Sequence, residues 1–202
     1  MAEDLHQGPE KRRPSQAKGG EPAQVRIVGA VSIHERRLKV DARLLPGHWE
    51  GDLTVGQSSH SQVGTMLEPV SRNLVLARTP DKQAATVRKA FARALGSVPC
   101  ALRKTLTCDQ GSEMAQHALL IQQLQIAVYF ADAHSPWQKG AIEHANGIAG
   151  QYLPRSADLD KFSQAELDEI AERIIDRPSE ILGWRTPNEV HATMLAGVAV
   201  KD

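Results

Sequence analysis

Between His48 and Gly56 the chain reads HWEGDLTVG, with Trp49, Gly51, Leu53 and Val55 alternating against Glu50, Asp52 and Thr54. That is the period of a strand with one packed face. Two more short apolar runs follow, VGTMLEPV at 63–70 and NLVLART at 73–79, with only Ser71 and Arg72 between them. Three sequential strands with tight connections predict an antiparallel meander. The period then lengthens. In KQAATVRKAFARALGSV, Ala84, Val87, Ala90 or Phe91, and Ala94 or Leu95 recur at helical spacing before Gly96. LRKTLTC (102–108) predicts a fourth strand ending at DQGSE, where Gly111 permits a turn and Ser112 is placed to cap a helix over 113–123. IAVYFA (126–131) predicts a fifth strand. The loop DAHSPWQ leads into a helix carrying Glu143, and further helices are expected at 163–175 and 187–195.

This order predicts an α/β fold: a mixed five-stranded sheet, its first three strands antiparallel, extended by parallel crossovers and flanked by helices. Residues 1–24 are rich in Gly, Pro, Glu, Lys and Arg and nearly empty of large apolar side chains, so residues 1–44 are expected to form a flexible tail and an extended arm. The core is expected over 45–160, with the C-terminal helices of 161–202 packed on it.

With 202 residues, 41% of them apolar, the chain is long enough for one packed domain and an appendage. Its 24 Lys and Arg balance 24 Asp and Glu, so any nucleic-acid contact must come from local patches. The run KRR at 11–13 is expected to be a solvated charge cluster. Cys100 and Cys108 lack zinc-like partners and read as buried thiols. Without an apolar run of about 18 residues or a signal-peptide pattern, the chain is expected to be cytoplasmic and away from membranes.

Three carboxylates fall where this topology can gather them: Asp52 in the first strand, Asp109 just after the fourth, and Glu143 on the helix after the fifth. Were strands one and four neighbours, the aspartates would lie side by side with Glu143 facing them. On that helix Ile142, Ala145, Ala149 and Tyr152 share one side, and Glu143, Asn146, Gly147 and Gly150 another. Three unpaired acids repel one another, a cost that a divalent cation removes. Hard oxygen ligands favour Mg²⁺ or Mn²⁺, and two such ions about 4 Å apart are a device for in-line displacement at phosphorus. Surface carboxylates without such a role are the alternative.

The blocks PGHWEGDL, TLTCDQGSEMA, VYFADAHSPWQKG, E-x-x-NG, QYLP and LGWRTPNEV occur in order from about residue 25 to 195. Together they resemble the transposases of the insertion-sequence-30 type, within the DDE transposases and retroviral-type integrases. That resemblance implies a ribonuclease-H-like catalytic core that binds two Mg²⁺ ions, with Mn²⁺ as substitute. It also implies DNA strand cleavage and strand transfer, with element ends and target DNA as partners and a homodimer or higher oligomer associated with the nucleoid. Matched position by position, the catalytic and metal-binding residues are Asp52, Asp109 and Glu143, the last 34 residues after the second (143 − 109). Lys139, Trp137, Gln138, Asn146 and Arg155 are the candidate DNA contacts, with Arg103 and Lys104 as further phosphate candidates. Trp137 either stacks on a base or packs over its loop. Glu50 is expected to face solvent or to stand in as a ligand, Glu113 to support the turn after Asp109, Trp184 to anchor the C-terminal helices, and His134 and His144 to flank the site without a role.

Two departures stand out. Gly150 occupies the place, seven residues after the Glu, where similar proteins carry Arg or Lys, and Ile142, His144 and Ala145 stand where they tend to show Asn, Asn and Thr. By the resemblance, the chain is also expected to lack the end-recognising helix-turn-helix region. The expectation is therefore the catalytic domain of a truncated transposase; the competing reading is a remnant that folds and binds DNA or an intact partner without catalysis.

Overall fold

The computed structural model describes residues 27–56, 62–154 and 156–199. Five strands form one sheet: β1 (His48–Val55), β2 (Gln62–Glu68), β3 (Asn73–Thr79), β4 (Thr105–Cys108) and β5 (Ala127–Phe130). Their spatial order is β3-β2-β1-β4-β5. β1 to β3 pair antiparallel, while β4 lies parallel to β1 and β5 parallel to β4. The expected meander and parallel extension are both present. The turn between β2 and β3 is held from inside: the buried Glu68 carboxylate accepts from the Ser71 amide at 2.6 Å and its hydroxyl at 2.7 Å, and Arg72 follows in the left-handed region at φ 62°. The described arm is not extended throughout: Ile33–Glu35 form a 3-10 turn and Leu38–Asp41 a single helical turn, with extended backbone at Ser32 where it reaches the sheet. Ser32 bridges Phe130 in parallel, so the arm lies along the free edge of β5.

Helices cover both faces. Beyond the one-turn α1 (Leu38–Asp41), α2 (Ala84–Gly96) and α3 (His117–Leu124) pack on the face built from Trp49, Met66, Leu106 and Phe130. Trp49 is fully buried there, its indole N–H donating to the Leu102 carbonyl at 2.8 Å. On the same face a Cβ at Gly64 would meet Phe91 Cε1 at 2.5 Å, so β2 needs a glycine for α2 to sit close. The other face carries α4 (Gly140–Ala149) and α5 (Gln164–Ile175), which bury Ile142, Ala145, Leu167 and Ile174 against Val63, Leu67, Leu74 and Leu76. Ser163 and Glu166 close a capping box at the start of α5. α6 (Pro187–Ala199) ends the described chain.

Several expectations are corrected. Ser112 caps no long helix; residues 112–114 make a 3-10 turn, and α3 begins only at His117. β4 starts at Thr105 rather than Leu102, because residues 100–102 form another 3-10 turn. Cys108 is buried but Cys100 is exposed. Trp184 is 72% exposed instead of packed as an anchor, the backbone there being turned by Gly183 and Trp184, both at φ 65°. The KRR run and Arg155 lie outside the described residues. No helix among those described is long and apolar enough to cross a membrane.

Candidate active site

The site grows out of the β1–β4 pairing. Parallel register sets Glu50 opposite Thr107, and two residues further along each strand direction come Asp52 and Asp109. Alternation sends Trp49 and Gly51 to the α2 face and Glu50 and Asp52 to the α4 face. Gly51 is required at the crossing, since a Cβ would lie 2.9 Å from Cys108 Sγ and 3.1 Å from Leu106 Cδ1.

What stands between the two aspartates is a lysine. Lys139 Nζ donates to Asp109 Oδ2 at 2.7 Å and lies 3.5 Å from both Asp52 Oδ1 and the Gly51 carbonyl oxygen. The residue is only 5% exposed. Burial by itself pulls an ammonium pKa down, but here Asp52 and Asp109 outweigh it and hold the group above its usual value. The lysine ends a 3-10 turn, Pro136–Lys139, whose position is fixed by Gln138: its Oε1 accepts from the Asp132 amide at 2.8 Å and its Nε2 donates to Asp132 Oδ2 at 2.8 Å. With His34 also on Asp132 at 2.6 Å, that carboxylate is held below its ordinary range, first by Gln138 and then by His34.

From the helix side, Asn146 Nδ2 donates to Asp52 Oδ2 at 2.6 Å, so Asp52 is held at one oxygen by Asn146 and faces Lys139 with the other. The Asn146 Oδ1 atom is buried and has no hydrogen-bond partner among the described residues. Glu143 lines an open cleft together with Asp52, Thr54, Asn146, Gly147 and Gly150. It shares that cleft with Asp52 but not with Asp109. Among the described residues, no three His, Cys, Asp or Glu side chains gather closely enough to hold an ion. The aspartate pair nevertheless fits a hard cation: its carboxylates already surround one positive charge, and the orphaned Asn146 oxygen is a further hard donor at its edge.

Glu50 is the residue the sequence pattern misplaced. It is 3% exposed instead of solvent-facing, and its Oε2 accepts from the Ile142 amide at 3.0 Å, in the first turn of α4. Burial raises its pKa; the Ile142 N–H, then the nearby cations headed by Arg43, 3.8 Å away, oppose that rise. A carboxylate at a helix N-terminus satisfies an orphan amide and complements the dipole, so Glu50 ties α4 to β1 two residues before Asp52 and one before Glu143. The i, i+2 spacing to Asp52 was the available signal, but alternation cannot tell a solvated face from one covered by a distant helix.

The other candidates are spread out. Trp137 is 73% exposed and borders a cavity of ≈ 390 Å³ with His34, Arg36, Arg43, His48 and Glu50. The cationic wall beside the site thus comes from the arm. Arg103 spends its guanidinium on the Leu95, Gly96 and Val98 carbonyls and Lys104 donates to Pro46 O, at the start of β4 and away from Asp109. His144 lines a separate pocket with Arg177 and Pro178, and the Glu113 carboxylate lies over Gly111.

An integrase core domain model matches residues 44–136, a span that includes Asp52 and Asp109 and stops seven residues short of Glu143 (143 − 136). The transposase for insertion sequence element IS1086 of Cupriavidus metallidurans is 45% identical over 192 residues, which cover 95% of this chain and 56% of the relative. The transposase InsI for insertion sequence element IS30A of Escherichia coli is 38% identical over 183 residues, covering 91% of this chain and 47% of the relative. Part of the chain thus matches an integrase core, and nearly all of it is similar to insertion-sequence transposases. The chain spans about half the length of these curated relatives. The fold agrees: the catalytic core domain of BIV integrase superposes with a TM-score of 0.59 at 16% identity, covering 76% of this chain and 98% of that one. A simian T-cell lymphotropic virus intasome chain gives 0.60 at 16% identity, covering 73% of this chain and 55% of that one. The ribonuclease-H-like class expected from the resemblance is therefore the observed one.

Proposed function

We propose that this integrase core cleaves DNA strands and transfers the freed 3′-hydroxyl to target DNA, acting as the catalytic domain of a transposase. The observation that carries the reading is the juxtaposition of Asp52 and Asp109 around a buried positive charge, inside the span matched by the integrase core model. Asp52 and Asp109, with Glu143 from α4, are the residues that would hold Mg²⁺ or Mn²⁺. When bound, such an ion supplies positive charge to offset what develops on the phosphoryl oxygens during displacement.

The chain's own side chains do the rest. Asn146 orients Asp52 through its 2.6 Å hydrogen bond, and Glu50 fixes the start of α4 so that Glu143 is presented beside β1. Gly147 and Gly150 leave the Glu143 side of the cleft without bulk, which suits entry of a DNA strand. The exposed Trp137 offers a stacking surface, and Arg36 and Arg43 in the adjoining wall are suited to phosphate. Element ends and target DNA are the partners in this reading. Joining them calls for two or more copies on DNA, in keeping with the intasome named among the structural relatives.

The test is nicking of a labelled duplex with Mg²⁺. Asp109→Asn removes one acceptor charge with little change in shape; it should abolish nicking while leaving the circular dichroism spectrum unchanged. Equal nicking by variant and parent refutes the assignment.

A further inference from the structure

The geometry points to Lys139 as the site's own counter-cation, competing with a divalent ion for the oxygens of Asp52 and Asp109. This rests on the reading that those two aspartates are metal ligands, and it adds how the chain keeps them together and what an incoming ion must displace. Lysine is almost never fully buried unless paired. Here Lys139 is 5% exposed, and its ammonium lies 2.7 Å from an oxygen of Asp109 and 3.5 Å from oxygens of Asp52 and Gly51. Its backbone is not free to wander: the Pro136–Lys139 turn is pinned by both ends of the Gln138 amide, and α4 begins at the next residue. The side chain therefore reaches the aspartates from a fixed base, through a flexible four-carbon stem that can release them.

Charge decides the consequence. Two adjacent carboxylates without a cation repel each other, and one ammonium offsets half of their charge. A divalent ion entering between the same oxygens meets that ammonium at a few ångströms, close enough for the two cations to repel even though Asp52 and Asp109 reach solvent. Both cations do not fit the pair together. Metal loading requires Lys139 to give up Asp109, and the lysine weakens apparent metal affinity in return for a preformed aspartate pair. A DNA contact or a surface charge would leave Lys139 exposed; its contacts turn it inward.

The experiment is a Mn²⁺ titration of the whole chain, followed both by thermal shift and by the loss of the free-ion electron paramagnetic resonance signal. Parent, Lys139→Met, Lys139→Arg and Asp109→Asn are compared, with circular dichroism to confirm folding. Lys139→Met should bind Mn²⁺ about tenfold more tightly than parent, or better, melt at a lower temperature without metal, and recover as Mn²⁺ saturates. Lys139→Arg, which keeps the charge, should stay near the parent affinity, so a folding defect in the Met variant alone cannot mimic the result. Unchanged or weaker Mn²⁺ binding by Lys139→Met, with binding still lost in Asp109→Asn, overturns the competition and leaves the metal reading standing. No Mn²⁺ binding by either parent or Lys139→Met overturns both.

Discussion

Glu50 shows how a single side chain can be essential to a site without touching what reacts. Its carboxylate closes the α4 N-terminus through Ile142 and faces Arg43 from inside the protein. Glu50→Ala leaves that amide and guanidinium without their partner, and should cost about 1–3 kcal/mol in urea unfolding while slowing nicking through misplacement of Glu143. Burial also sets a pH signature. The folded-state pKa lies above the ordinary 4.5, so the folded chain holds this proton more tightly than the unfolded one. The corresponding stability is complete below pH 4.5 and is lost as pH rises through the folded value. Relative to a Glu50→Gln variant, the parent should therefore lose melting temperature as pH rises above 4.5; a difference that stays constant as pH rises contradicts the assignment. The sequence offered Asp52, Asp109 and Glu143 as candidates through their places in the first strand, after the fourth and on the helix after the fifth. It could not make Glu50 or the inward Lys139 visible, because their roles come from partners 92 and 30 residues away.

At the scale of elements, periodicity served best where one face is continuously packed. β1 to β3, α2 and α5 fall where the patterns put them: α2 and α5 each bury a regular stripe, and β2 and most of β3 are covered on both faces. It failed where tertiary contacts replace local signals. Ser112 resembles a cap, yet the chain takes a 3-10 turn there and α3 opens without any side-chain cap at Gln116. Arg103 looked like a phosphate ligand, but its guanidinium is consumed in holding the α2–β4 connection. Gly64 could be read as a weak point in a strand, whereas it is the gap that admits Phe91. Gly64→Ala should destabilise the fold by about 1–3 kcal/mol, since Phe91 can yield only by disturbing its neighbours, and should leave Mn²⁺ affinity unchanged. Chemical denaturation beside the Mn²⁺ titration checks both halves. A neutral substitution means that the α2 face is looser than the packing implies.

For the whole molecule, topology is what turns scattered acids into a pair. An antiparallel meander puts β1 in the middle of the sheet, and the α2 crossover returns β4 parallel beside it, so Asp52 and Asp109 arrive at the same end of neighbouring strands. The β5 crossover then delivers the Gln138 turn and α4 over that end, carrying Lys139, Asn146 and Glu143. Ordered motifs made the family legible, and strand order followed from it; the resident lysine did not, because no motif says which way a side chain turns. The most direct measurement is anomalous diffraction at the manganese edge from crystals of this chain soaked in Mn²⁺. The account predicts a peak coordinated by Asp52 and Asp109, with Lys139 Nζ withdrawn from Asp109. Full-occupancy manganese bound elsewhere, with Lys139 still seated between the two aspartates, would contradict it.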